Sequence, residues 1–348
     1  MSLSKNETQI MRGLAIVFVV LHNLLHLLLP TVENEFTFSQ SRTLLFWREL
    51  IDFRFDFWKD VFSFLGWYGV STFMFLTGYG LTIKYGSLNT DSQQSFKLFI
   101  TKHFKKLFLL MFLPYIPFAI LQLYKGNYIE IITQLTLVSN IFHPNSINPG
   151  VFWYFGLIFQ FYILYALLMQ IEGKAYRKTI LLLFNIVSIF CLVLFSHDEP
   201  FVNWMRHNCI GWVLPFSIGV WFAEGFVASK YFDQSWENFI WIIIGSILLV
   251  LANLNYCTWL ISPILSILIA IGFAKLMKWC LFFEKCFIWI GGLSAYMFAV
   301  HPLVRLACLK LFPNDMISSL YILGYLSVTV VVAMIYKKIH SVIFNRFI

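Results

Sequence analysis

The chain has 348 residues, 59% of them hydrophobic and only 12% charged, and its mean hydropathy is +0.76. This balance excludes an ordinary soluble domain and predicts an all-α, polytopic membrane protein. The net charge of +8 does not point to nucleic acid, because the lysines and arginines stand in short blocks between apolar runs, where membrane topology accounts for them.

A helix needs about 20 apolar residues to cross ~30 Å of hydrocarbon. Runs of that kind fall at 10–30, 61–83, 106–124, 150–171, 179–196, 209–228, 238–254, 257–279, 286–311 and 316–336, which predicts about ten transmembrane helices in a single bundle. The first run is as long as the later ones, so it is expected to be a span and not a cleaved signal. With the N-terminus inside, 17 of the 25 lysines and arginines lie on the inner side and 8 on the outer. That bias predicts both termini in the cytoplasm, and a plasma (inner) membrane location is expected. Two long segments, 31–60 and 125–149, are then outside. In the first, Phe46, Leu50, Phe53 and Phe57 recur at helical spacing, as in an interfacial amphipathic helix. The second, ending "FHPNSINPG", reads as a polar loop. No repeat or soluble segment is visible, so residues 1–348 are expected to form one membrane domain.

Polar groups stand out against this background. In "QIMRGLAIVFVVLHNLLH" (9–26), Arg12 is placed at the cytoplasmic interface and His22 about 15 Å deeper, near the midplane, with His26 one turn beyond. An ionisable group inside a membrane is a functional-site hypothesis by default. Lys102, Lys105 and Lys106 form a basic block before the third span, which plain topology also explains. Ser71 lies in the second span among glycines that suit close helix packing. Trp153, Tyr154 and Gln160 mark the fourth span, where aromatic residues are usually interfacial anchors and only Gln160 departs from that pattern. His301 precedes Pro302, which frees a backbone carbonyl one turn earlier that a side chain can satisfy. The six cysteines show no CxxC pair and no ligand spacing, so no disulfide framework and no metal is expected.

"RGLAIVFVVLHN" (12–23) resembles the first-helix motif of the acyltransferase-3 family, multi-pass enzymes that move acyl groups from cytoplasmic acyl-CoA onto sugars. The resemblance continues in order through "YGVSTFMFLTGYGL" (68–81), "FITKHFKKLFLLMFLPYI" (99–116), "FWYFGLIFQFYILY" (152–165), "VLPFSIGVWFAE" (213–224) and "IGGLSAYMFAVHPLV" (290–304). There are two departures. The family usually has ten residues between its arginine and histidine, whereas Arg12 and His22 have nine, and Asn23 stands in the usual place; Ser71 stands where an aspartate is common.

The resemblance implies an O-acyltransferase that carries an acyl group, by expectation acetyl, from acetyl-CoA to a hydroxyl of a cell-surface or lipid-linked glycan. It has no tightly bound cofactor, and its partners are the acyl-CoA, the glycan or glycolipid acceptor and membrane lipids. Histidine suits the base that such a transfer needs. His22, His26 and His301 are therefore the catalytic candidates, with the choice between His22 and His26 left open. Arg12, Lys102, Lys105 and Lys106 are candidates for the donor phosphates, and Ser71, Trp153, Tyr154 and Gln160 for the acceptor. A secondary transporter of a small polar solute is the competing class. Transporters commonly pair two similar halves with matching broken helices, and the polar cluster of the first span has no counterpart five helices later.

Overall fold

The computed structural model describes residues 3–52, 54–86, 96–225, 235–312 and 317–344, and among these the chain is helical with no strand. Helix α1 (Lys5–Leu25) opens on a capping box in which Ser4 Oγ accepts from Glu7 N and Glu7 Oε2 accepts from Ser4 N at 2.7 Å. It ends at Leu25, not at 30. Pro30 disfavours helical backbone at Leu29, and the chain turns through bonds from Leu27 N to Leu24 O and Leu28 N to Leu25 O. His22 therefore sits in the last turn of α1, away from the midpoint of a span.

Helix α2 (Gln40–Ile51) occupies part of the predicted interfacial segment. Its Phe46 is fully buried and stacks on Phe64 at 4.4 Å, and Thr43 donates to Asn253 O, so one face of the helix is docked onto neighbouring elements. Phe53 lies outside the described residues. Helix α3 (Trp58–Leu65), a 3-10 turn (Gly66–Tyr68) and α4 (Gly69–Tyr85) make one apolar stretch of 28 residues. Helix α5 (Phe96–Tyr124) starts ten residues before the predicted 106, because its basic N-terminal turns already bury Phe99 and His103 on one side. The predicted loop at 125–149 is largely helical, with α6 (Tyr128–Leu135) and α7 (Ser139–Phe142). Buried Gln134 organises it by accepting from Ser139 Oγ and donating towards Phe152 O.

The chain continues through α8 (Trp153–Met169), α9 (Lys174–Leu194), α10 (Glu199–His207) and α11 (Cys209–Ala223). Then come α12 (Ser235–Ala252), α13 (Tyr256–Ile261), α14 (Pro263–Met277), α15 (Leu281–Gly291), α16 (Ser294–Leu311) and α17 (Ser319–Phe344). Among the described residues seven stretches are long and apolar enough to span a membrane, and α15 with α16, bent by 72°, makes an eighth when the pair is taken as one span. The count is thus below the predicted ten. The shortfall lies in α11 and α14, each 15 residues and roughly 22 Å long. The 257–279 run is divided at Ser262, where Pro263 has no N–H to continue the preceding helix. Residues 226–228 of one predicted span and 316 of another fall outside the described residues. Rows of exposed Leu, Ile, Val and Phe on α9, α12 and α17 present the surface that lipid requires. This is an all-α polytopic membrane protein.

The chain divides into two compact units, one of Met1–Tyr79 with Leu214–Met334 and one of Gly80–Val213 with Ile335–Ile348. In the first, α1 is the central helix and packs against α3, α14, α15 and α16. Gly13 and Gly291 let α1 and α15 touch backbone to backbone: a Cβ at Gly13 would collide with Phe287 O, and one at Gly291 with Gln9 O. In the second, α5 packs on α6 and α8, and Asn140 on α7 clamps α8 and α10 by donating to Trp153 O and His207 O, both at 2.6 Å.

Candidate functional site

The polar residues of the first unit gather around the end of α1. His22 is 2% exposed, and its Nδ1 lies 2.8 Å from Ser63 O. A carbonyl can only accept, so Nδ1 carries the ring proton and Nε2 keeps its lone pair. That Nε2 is buried without a hydrogen-bond partner. It stands 4.0 Å from Glu33 Oε1 and 3.9 Å from Glu35 Oε2. His26, one turn on, sets its ring edge-on to His22 at 4.9 Å and its Nδ1 3.4 Å from Glu33 Oε1.

Both carboxylates come from the segment that follows α1 and folds back over its end. Ser63 Oγ donates to Thr31 O at 2.7 Å and Thr31 Oγ1 to Asp60 at 2.8 Å. Arg42 reaches Glu33 O at 3.1 Å, and Trp259 Nε1 holds Asn34 O at 2.7 Å. Buried polar groups that are satisfied in this way rigidify what they hold. Burial pushes the Glu33 carboxyl up, but attraction to His22 and the contact with His26 outweigh it and hold it down at about 2, so Glu33 is a carboxylate at neutral pH. Gly66 permits the close approach of α1 to the 3-10 turn, since a Cβ there would stand 2.6 Å from His22 Cβ and 2.8 Å from Phe18 O.

His301, on α16, is fully buried and near enough to His22 and Arg305 to interact electrostatically with both. Its Nδ1 lies 2.8 Å from Phe298 O. Phe298 is four residues before Pro302, so its carbonyl is the one that loses a helix partner to the proline, and the histidine supplies the missing donor. His301 Nε2 is then left with its lone pair, buried and without a hydrogen bond. This arrangement makes a stability prediction. His301→Ala should destabilise the chain by about 1–3 kcal/mol by orphaning that carbonyl. Adding Pro302→Ala, which restores an N–H, should recover part of the loss. Unfolding in detergent of the two single variants and the double variant measures this coupling.

Arg305, one turn beyond His301, donates to Asn23 O at 2.6 Å and lies near Tyr325, whose hydroxyl is buried. Asn23 turns its amide back to Val19 O at 2.9 Å. Sequence reasoning missed Glu33, Glu35, Arg305 and Tyr325. A signal existed for three of them: "VENEF" places two acids soon after His26, and Arg305 is a lone charge one turn from His301 in an apolar run.

The remaining candidates are placed as follows. Arg12 is half-buried on α1, and Ser71 is fully buried on α4 with its hydroxyl unpartnered, both in the first unit. Lys102, Lys105 and Lys106 are exposed on α5, in the second unit. Trp153 is buried at the start of α8, packed 5.7 Å from Trp212, with Tyr154 half-buried beside it. Gln160 uses both ends of its amide, donating to Asn208 Oδ1 at 2.7 Å and accepting from Cys209 N at 2.8 Å. It closes the break between α10 and α11. The catalytic candidates are thus gathered in one unit, while the candidates assigned to donor and acceptor are divided between the two.

A preset imidazole lone pair beside carboxylates is a proton acceptor whose charged form is compensated in place, which suits group transfer to a hydroxyl. No curated protein and no solved structure matches the chain. A family model described as an acyltransferase domain matches residues 7–338. With that match running from the first turns of α1 to within α17, the chain belongs to the acyltransferase-3 family and is a membrane acyltransferase.

Proposed function

We propose that the protein transfers an acetyl group from cytoplasmic acetyl-CoA to a hydroxyl of a cell-surface or lipid-linked glycan, with His22 as the base. The observation that carries this reading is His22 itself, with Nδ1 fixed on Ser63 O and a buried, unpartnered Nε2 facing Glu33 and Glu35. In the reaction the acceptor hydroxyl adds to the thioester carbonyl and gives its proton to His22 Nε2. The tetrahedral oxyanion collapses, the C–S bond breaks, and the departing sulfur takes the proton from His22, leaving an ester on the glycan and free coenzyme A. Glu33 and Glu35 offset the imidazolium while it exists, and Arg305 supplies positive charge for the oxyanion.

The base stands at the far end of α1 from its N-terminus. With both termini in the cytoplasm of a plasma-membrane protein, as the lysine and arginine bias favours, the acceptor approaches from outside and the donor reaches up from inside. Arg12 on α1 then attracts the phosphates of the donor from the cytoplasmic face. Ser71, in the same unit as His22, is proposed for the acceptor.

The test uses sealed membrane vesicles with labelled acetyl-CoA confined to the cytoplasmic face. Label is expected in alkali-labile ester linkage on glycan at the opposite face, and Arg12→Ala is expected to raise the KM for the donor more than it lowers kcat. Label that stays on the donor side, or moves across as free solute, contradicts the assignment.

A further inference from the structure

The histidines and carboxylates at the end of α1 have the donor set and spacing of a metal centre. His22, in the last turn of α1, and His26, which caps that helix, are one turn apart, the i, i+4 arrangement that lets two imidazoles share a cation. His22 Nε2, His26 Nδ1 and a Glu33 carboxylate oxygen all lie within 4.8 Å of one another. The closest pair, His26 Nδ1 and Glu33 Oε1, is 3.4 Å apart. Ligand bonds of about 2.0–2.2 Å around a tetrahedral cation put neighbouring ligand atoms roughly 3.3–3.5 Å apart, so small rotations of these side chains close the set.

Three further features fit. His22 Nε2 is an unpartnered nitrogen on a residue 2% exposed, aimed at the two carboxylates. Its other nitrogen is held by Ser63 O at 2.8 Å, the kind of outer hydrogen bond that fixes the tautomer of a ligating histidine. His26 and Glu33 remain partly exposed, with side chains 20% and 12% accessible, which leaves a way in. Two imidazoles with carboxylates select zinc-class cations; calcium and magnesium prefer all-oxygen shells.

We propose that His22, His26 and Glu33 bind a zinc-class divalent cation, with a water in the fourth position. One lone pair cannot both hold a cation and accept a proton. Bound metal therefore blocks transfer, a consequence that rests on the reading of His22 as the base.

The experiment uses the tag-free full chain in detergent, stripped by chelator and titrated with Co2+. One equivalent is expected to give the strong visible absorption of four-coordinate cobalt, bleached by one equivalent of Zn2+, and Zn2+ should raise the melting temperature in a concentration-dependent way. His26→Ala and Glu33→Gln should each weaken binding at least tenfold. His26→Cys, which keeps a ligand, should retain binding and add a thiolate-to-cobalt band, guarding against a folding artefact in His26→Ala. No absorption in the parent chain, or the same affinity in His26→Ala and Glu33→Gln as in the parent, overturns the proposal. These readouts are independent of acyl transfer, so a failed metal site and a failed base assignment are distinguishable. If both hold, Zn2+ inhibits transfer and chelator restores it.

Discussion

His22→Ala is expected to lower the transfer rate about 10²–10⁴-fold, the range lost with a general base, while the chain still folds. The structural part of the loss is small by comparison. The ring's hydrogen bond to Ser63 O is worth on the order of 1 kcal/mol. The rate and the melting temperature should therefore respond on different scales. Donor affinity should be unchanged, since Arg12 stands about 15 Å along α1 from residue 22. His26→Ala should have a smaller effect on rate, because His26 meets Glu33 at 3.4 Å and acts on His22 through that carboxylate. Moving the imidazole one position along, with Asn23→His in the His22→Ala background, should not restore activity. Residue 23 is turned about 100° from residue 22, and its side chain points back to Val19 O. Single-turnover rates with saturating acetyl-CoA, alongside unfolding in detergent, measure both quantities.

Gly66→Ala is the second substitution with a large expected effect, although residue 66 touches no reactant. The new Cβ would stand 2.6 Å from His22 Cβ and 2.8 Å from Phe18 O, so α1 and the 3-10 turn must separate. Overpacking of this kind costs about 1–3 kcal/mol. The separation also moves His22 relative to Ser63 and Glu33, and a misplacement of roughly 1 Å at a reacting group lowers rates about 10²-fold. Gly80→Ala is the matched control. Nothing lies within 4 Å of a Cβ at that helical position, so stability should hold or rise slightly. Equal losses in the two variants would mean that the tight contact at Gly66 is unrelated to activity.

What could be read from the sequence divides along physical lines. Helical class and membrane character follow from apolar run length, a property of the chain itself, and these were legible. Span number was less so. The runs at 209–228 and 257–279 have the composition of spans, but α11 and α14 are 15 residues each, and a break at Ser262 and Pro263 is a local backbone event that hydropathy averages away. The site was legible in part. His22, His26 and His301 stand out as ionisable groups in apolar runs, and the helper role of Pro302 could be anticipated from its missing N–H. The tautomers could not, because they depend on the carbonyls of Ser63 and Phe298, and the first of these is 41 residues from its histidine. Glu33 and Glu35 were hidden for a related reason. Acids in a segment after a span read as ordinary solvated residues until the segment is seen to fold back over α1. Gln160 ran the other way: a polar residue in an apolar helix drew a ligand-binding expectation, and its amide is occupied by Asn208 and Cys209.

The claim that this chain is a glycan O-acyltransferase with His22 as its base meets its most direct test in mass spectrometry of surface and lipid-linked glycans. Three otherwise identical cells are compared: one lacking the protein, one carrying it and one carrying His22→Ala at equal abundance. The account predicts a gain of one alkali-labile acyl group per modified residue only in cells carrying the unaltered chain. Identical glycan masses in all three, or the same gain with His22→Ala, would contradict it.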